Sequence, residues 1–247
     1  MAMRKSPWFW AILVIALAGL GVRVFLSPES FYKDQAGVNL LPLHLSMVFQ
    51  ELLLISWIIK LWLNQQQTEE TFVFSYQQQY LPRFFEAATL TLAWLVMLSY
   101  SSLMSLILAA LAASRYLTLA ELVSRAPALR RDPSLVKHWT GLMLGWSLAM
   151  LMLSFLIYFL DKDFFLMTPG TLSVLGYTLL LVYGLYQFVR LGNHTIVTAI
   201  LIYLILALIP MWSIRVHWAV TVWMMCLMLG SLAFIYRYHY RNKDKSE

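Results

Sequence analysis

The sequence predicts an all-α polytopic membrane protein of about eight transmembrane helices (six to eight), with short amphipathic interfacial helices between some of them. Three observations carry this. Hydrophobic residues make up 61% of the 247 and charged residues only 12%, against roughly 45–50% and 25% in ordinary soluble domains. The apolar residues are gathered into runs of roughly 20, the length that crosses a bilayer as a helix. The polar stretches between the runs are mostly basic, as cytoplasmic loops are. This balance excludes a disordered chain, a disulfide-stapled secreted domain and a free cytosolic enzyme. The net charge of +6 fits loops beside anionic lipid and implies no nucleic-acid partner. Cys226 is the single cysteine, so no disulfide forms within the chain.

The whole of 1–247 reads as one integral membrane domain. A short basic start, with Arg4 and Lys5, precedes an apolar run over 8–26. Ala16-Leu17-Ala18 resembles a signal-peptidase site, but the run continues through Val22, Val24 and Phe25, so an uncleaved first span is expected. Arg23 sits near its far end and snorkels. Pro28 and Gly37 mark a loop, and 40–63 is the second span. The segment 64–83 is polar, and 84–119 is apolar but long for one span. Further spans are expected over 141–160, 171–189, 196–214 and 218–236, and a basic tail closes the chain.

Loop charge sets the topology. The start, the 114–140 segment (Arg115, Arg125, Arg130, Arg131 and Lys137 against Glu121 and Asp132) and the tail are basic. All three belong in the cytoplasm. Asp161-Lys162-Asp163 suits the outside; Arg190 and His194 suit the inside. These assignments agree if 84–119 crosses twice, as spans 84–100 and 102–119 with a tight turn near Tyr100–Ser102. Both termini are then cytoplasmic. The expected location is the plasma membrane of a bacterium. Trp8, Trp10, Trp57, Trp62, Trp139, Trp212 and Trp218 lie near proposed span ends, where interfacial aromatics belong.

Two polar segments read as surface helices. In 64–83, Phe72, Val73, Tyr76 and Tyr80 recur at helical spacing, Glu69, Glu70 and Thr71 suit a helix start, and Pro82 is expected to end the helix. In 114–140, Leu119, Leu122, Val123 and Ala126 make an apolar face, and Glu121 and Arg125 are spaced to pair. Glu86 is expected to pair with Arg83. Each segment reads either as a lipid-surface helix or as a docking element for a soluble partner.

The chain has no G-x-x-x-x-G-K-[ST] phosphate loop, no H-E-x-x-H pair and no G-x-S-x-G elbow, so no catalytic activity and no cofactor are expected in this chain. Its five histidines, His44, His138, His194, His217 and His239, lie in different segments and read as interfacial groups. Asn193-His194-Thr195 matches a glycosylation sequon on an expected cytoplasmic turn and reads as chance. Ionisable groups inside a span are costly and mark function by default. Glu51, beside Gln50 and beyond His44, is the leading case. It reads as part of a substrate path or as a carboxylate satisfied by another helix. Trp94, Tyr100, Trp146, Tyr177, Tyr183 and Tyr186 would join such a path if they face inward.

The order of parts around Glu69-Glu70-Thr71-Phe72-Val73-Phe74-Ser75-Tyr76 and Pro82-Arg83-Phe84-Phe85 resembles the ABC-2 type permease family, membrane subunits of ABC exporters. Glu70, Thr71, Ser75 and Arg83 match the types in that family's stretch between its second and third spans. Glu70 stands where the family has glycine, and Gln77 where it has proline. The resemblance covers the layout of roughly residues 8–160. It implies a permease that works as a homo- or heterodimer and is driven by a separate ATP-binding-cassette subunit, which carries the ATP and Mg. That subunit would dock on Glu69, Glu70, Thr71, Phe72, Tyr76, Tyr80 and Arg83, while His44, Gln50 and Glu51 would line the path. The alternatives are a non-transport scaffold or sensor subunit, or an ion-coupled secondary carrier.

Overall fold

Long apolar runs become helices here because a bilayer leaves no water to satisfy a bare backbone. The computed structural model describes residues 76–98, 100–126, 135–161, 169–213 and 218–243, together with helical residues 10, 11, 13–15 and 17–19 near the start. Of the described residues 96% are helical and none forms a strand. The helices are α1 (Leu81–Leu98), entered through a π-helical turn at Tyr76–Tyr80, then α2 (Ser102–Arg125), α3 (Leu135–Asp161), α4 (Pro169–Leu191), α5 (Thr195–Ser213) and α6 (Trp218–Lys243). Five of these are long and apolar enough to cross a membrane, and α5 carries a shorter apolar stretch over Thr195–Leu208. The described part of the chain is therefore all-helical, with the character of an integral membrane protein. Of the eight expected spans, the second (40–63) lies outside the described residues and the first is described only in part.

Successive helices run antiparallel. Phe84 meets Tyr116 with ring centroids 6.2 Å apart, and Glu86 meets Arg115 at 3.6 Å, so α1 and α2 fold back about the turn at 100–101. Ser101 starts α2 by accepting a hydrogen bond from the Met104 N–H at 3.3 Å, an N-cap. Alternate helices run parallel: Tyr80, at the entry to α1, meets Thr140 near the start of α3, and Trp94 of α1 meets Ser154 further along it. Helix α3 is the centre, with 67% of its span buried against 22% for α6.

The close packing of α3 on α5 rests on Gly141 and Gly145. A side-chain carbon on Gly145 would collide with the Ile196 carbonyl oxygen and, at 2.6 Å, with the Ala199 methyl; one on Gly141 would strike Asn193 and Thr195. The Gly-x-x-x-Gly spacing lets two membrane helices approach to backbone contact, where dispersion replaces the missing hydrophobic drive. The spacing is visible in the sequence, but the helix that it faces is not.

Four expectations change. First, Pro82 does not end a surface helix; it lies in the first turn of α1. A proline ring inside a helix clashes with the carbonyl four residues back, and the π turn at Tyr76–Tyr80 widens the backbone where that carbonyl sits. Second, 114–140 is not one interfacial segment. Residues 114–125 continue α2 and 135–140 begin α3. The Leu119 and Val123 face is buried in the bundle, not laid on lipid. Third, Glu86 reaches across the hairpin to Arg115 instead of along α1 to Arg83. Fourth, Trp139 is buried, at 5% exposed, and is no interfacial anchor.

Candidate functional site at the basic end of the bundle

Because the helices alternate in direction, one end of the bundle gathers the start of α1, the end of α2, the start of α3, the α4–α5 turn and the end of α6. Every lysine and arginine among the described residues lies in that half: Arg83, Arg115, Arg125, Lys137, Arg190, Arg237, Arg241 and Lys243. Contact between Phe188 and Tyr238, with ring centroids 5.0 Å apart, puts the ends of α4 and α6 level.

Three polar arrangements build this end. The first is an ion-pair triad. Glu121 of α2 accepts from Arg190 of α4 at 2.7 Å and lies 3.7 Å from Arg125 one turn on. The expected Glu121–Arg125 pair is present, and Arg190 is the partner that local spacing could not supply. Two guanidinium groups share one carboxylate, so the triad keeps one net positive charge. Arg125 is the most open member, with its side chain 78% exposed.

The second is the α4–α5 turn. Gly192 has φ +60° and its N–H donates to the Phe188 carbonyl at 2.9 Å, an αL termination that favours glycine. Asn193 then caps α5 by accepting from the Thr195 N–H at 3.3 Å. Its amide donates to the Lys137 carbonyl at 2.6 Å, and the Thr195 hydroxyl lies 2.9 Å from the His138 carbonyl oxygen and 2.7 Å from Asn193 Oδ1. The sequon asparagine is therefore a latch between α5 and α3, and at 4% exposed its amide nitrogen is committed to the fold. Beside it the rings of His138 and His194 lie 5.1 Å apart, and His138 Nδ1 is buried without a hydrogen-bond partner among the described residues.

The third is Tyr80. Its side chain is fully buried, stacked on Phe84 with centroids 5.8 Å apart. Its oxygen lies 2.9 Å from Thr140 Oγ1. Thr140 spends its one hydroxyl proton on the Val136 carbonyl at 2.6 Å, so Tyr80 is the donor. Tyr80 is thus part of the chain's own core and not an anchor offered to a docking partner.

Of the other sequence-derived candidates, Arg83 is exposed on the first turn of α1 and Tyr76 lies in the π turn. His44, Gln50, Glu51, Glu69, Glu70, Thr71 and Phe72 lie outside the described residues. Of the path aromatics, Trp94, Trp146 and Tyr177 face inward, while Tyr100, Tyr183 and Tyr186 are exposed, at 73%, 41% and 58%. Trp94 is fixed by donating to Ser154 Oγ at 2.7 Å, so it serves packing. Among the described residues no three His, Cys, Asp or Glu side chains are placed to hold a metal ion. The arrangement ties helix ends together and presents cationic surface. No protein-family model, no curated protein and no solved structure matches this chain.

Proposed function

We propose that this chain is the membrane-spanning permease subunit of an ABC-type exporter. It moves a substrate across the membrane with energy from a separate ATPase subunit. The basic end of the bundle faces the cytoplasm, and the ATPase docks there on 64–83, with Glu69, Glu70, Thr71, Phe72, Tyr76 and Arg83 as the contact surface. Two copies, or this chain and a related one, enclose the path, with His44, Gln50 and Glu51 along it.

The observation that carries this reading is the junction at Tyr80. The segment 64–79 leads directly into α1 through a residue that is hydrogen-bonded to the central helix α3 and stacked within α1. Through that contact a partner that displaces the segment would pull on α3. A scaffold role is the second reading. The tight α3–α5 seam at Gly141 and Gly145 favours it, because backbone-close packing resists opening.

The test is purification of the full-length chain with photocrosslinkers at positions 72, 76 and 79. Recovery of a crosslinked chain bearing an ATP phosphate loop is expected. Absence of both copurification and crosslinks would sink the docking reading and leave the scaffold.

A further inference from the structure

Between α2 and α4, with α3 as its floor, runs a groove of about 450 Å³. Its walls include Ala110 and Ser114 of α2, Leu148 and Met152 of α3, and Leu179 and Tyr183 of α4. The small side chains at 110 and 114, one turn apart, create the hollow. A cavity of about 150 Å³ lined by aliphatic groups already accepts benzene, so this groove has room for a length of hydrocarbon chain.

The groove does not end in plain lipid-facing surface. Glu121 follows Ser114 by seven residues and Arg190 follows Tyr183 by seven, two turns on along the same helix faces. Each step is about 10 Å of helix. The Glu121–Arg190 bridge therefore spans the two walls at the basic end of the groove, with Arg125 attached and one net positive charge. Tyr186, 58% exposed, lies between Tyr183 and Arg190 on α4, with its ring 6.2 Å from that of Tyr183. Apolar hollow, exposed tyrosine and cationic cap follow one another in the order of a phospholipid's acyl chain, glycerol region and phosphate.

We propose that this groove holds one anionic phospholipid, with an acyl chain against Ala110 and Ser114 and its phosphate at the Arg125–Glu121–Arg190 triad. The charge complementarity selects the occupant: a net cation at headgroup depth favours an anionic over a zwitterionic lipid. The proposal is independent of the ATPase reading and stands if no such subunit is found.

The experiment uses the full-length chain in phosphatidylcholine vesicles. These contain a small fraction of phosphatidylglycerol or phosphatidylcholine carrying a diazirine at mid-chain, and adducts are mapped by mass spectrometry. Phosphatidylglycerol adducts should concentrate on 110–117, 148–152 and 179–183, well above those on the exposed 222–234 face of α6. One cation near an anionic headgroup is worth about a fivefold change in occupancy. Arg190→Gln, which neutralises the triad, should lower the phosphatidylglycerol signal by about that factor. Ala110→Phe, at an exposed position, should abolish groove adducts with elution volume and melting temperature unchanged; Ser114→Leu repeats the test should that variant misfold. Equal labelling by the two probes in the unmodified protein needs no variant and would overturn the proposal. So would adducts spread evenly over groove and α6, or a groove left unlabelled because a second copy or another segment of this chain fills it.

Discussion

At the scale of single residues, two glycines that look alike in sequence meet opposite surroundings. Gly145 abuts the Ile196 carbonyl and the Ala199 methyl, whereas nothing lies within 4 Å of the position a side chain would take on Gly230. Gly145→Leu should destabilise by about 1–3 kcal/mol or more through overpacking, read as a lower melting temperature in detergent. Gly230→Ala should be neutral, or stabilising by about 0.5–1 kcal/mol, because alanine loses less backbone entropy in a helix. The buried latch makes a second residue-scale prediction. Asn193→Ala removes the cap of α5 and leaves the Lys137 carbonyl without its amide donor. A loss of about 1–3 kcal/mol is expected, together with faster amide exchange at the start of α5. An unchanged melting temperature would show that the latch contributes nothing. Neither residue stands out by composition. Gly141 and Gly145 were visible as a spaced pair, and Asn193 as a sequon, but their roles depend on which helix lies opposite.

At the scale of elements, the α1–α2 hairpin decides how the middle of the chain is threaded. Residues 86 and 115, joined here by an ion pair at 3.6 Å, would stand about 44 Å apart if 84–119 formed one straight helix. A short bifunctional maleimide should therefore join cysteines placed at 86 and 115 in a Cys226→Ala background. Failure to join them, with both thiols shown to be reactive, would contradict the hairpin. The turn could be read from Tyr100-Ser101-Ser102, polar residues interrupting an apolar run too long for one span. The helix ends could not. Helix α2 runs on to Arg125 and α3 starts at Leu135, because burial against neighbours stabilises turns that their polarity alone assigns to the surface. Glu86 shows the same limit. Spacing offers Arg83 as a partner, and only the pairing of α1 with α2 brings Arg115 within reach. Tyr80 shares the helical period of Phe72 and Tyr76, yet it turns into the core, where Thr140 Oγ1 accepts its hydrogen bond.

At the scale of the whole molecule, the membrane character was written in composition and run length. The gathering of cations at one end followed from alternating helix direction plus basic loops. What the sequence could not show is that α3 is the central helix, because that depends on how many neighbours each helix finds and not on its own hydrophobicity. The proposed docking of a soluble ATPase at 64–83 requires the basic end to face the cytoplasm, whereas an anionic lipid at the Glu121 triad needs only that end to lie at headgroup depth. Orientation is therefore the claim on which the proposed function stands, and two exposed positions at opposite ends report it: Tyr100 in the α1–α2 turn, 73% exposed, and Arg125 at the end of α2, 78% exposed at its side chain. The direct measurement is labelling of Tyr100→Cys and Arg125→Cys, each in a Cys226→Ala background, by a membrane-impermeant maleimide in intact cells. The account predicts that Cys at 100 is labelled at once and Cys at 125 only after permeabilisation. The reverse pattern, with 125 labelled in intact cells and 100 protected, would contradict it.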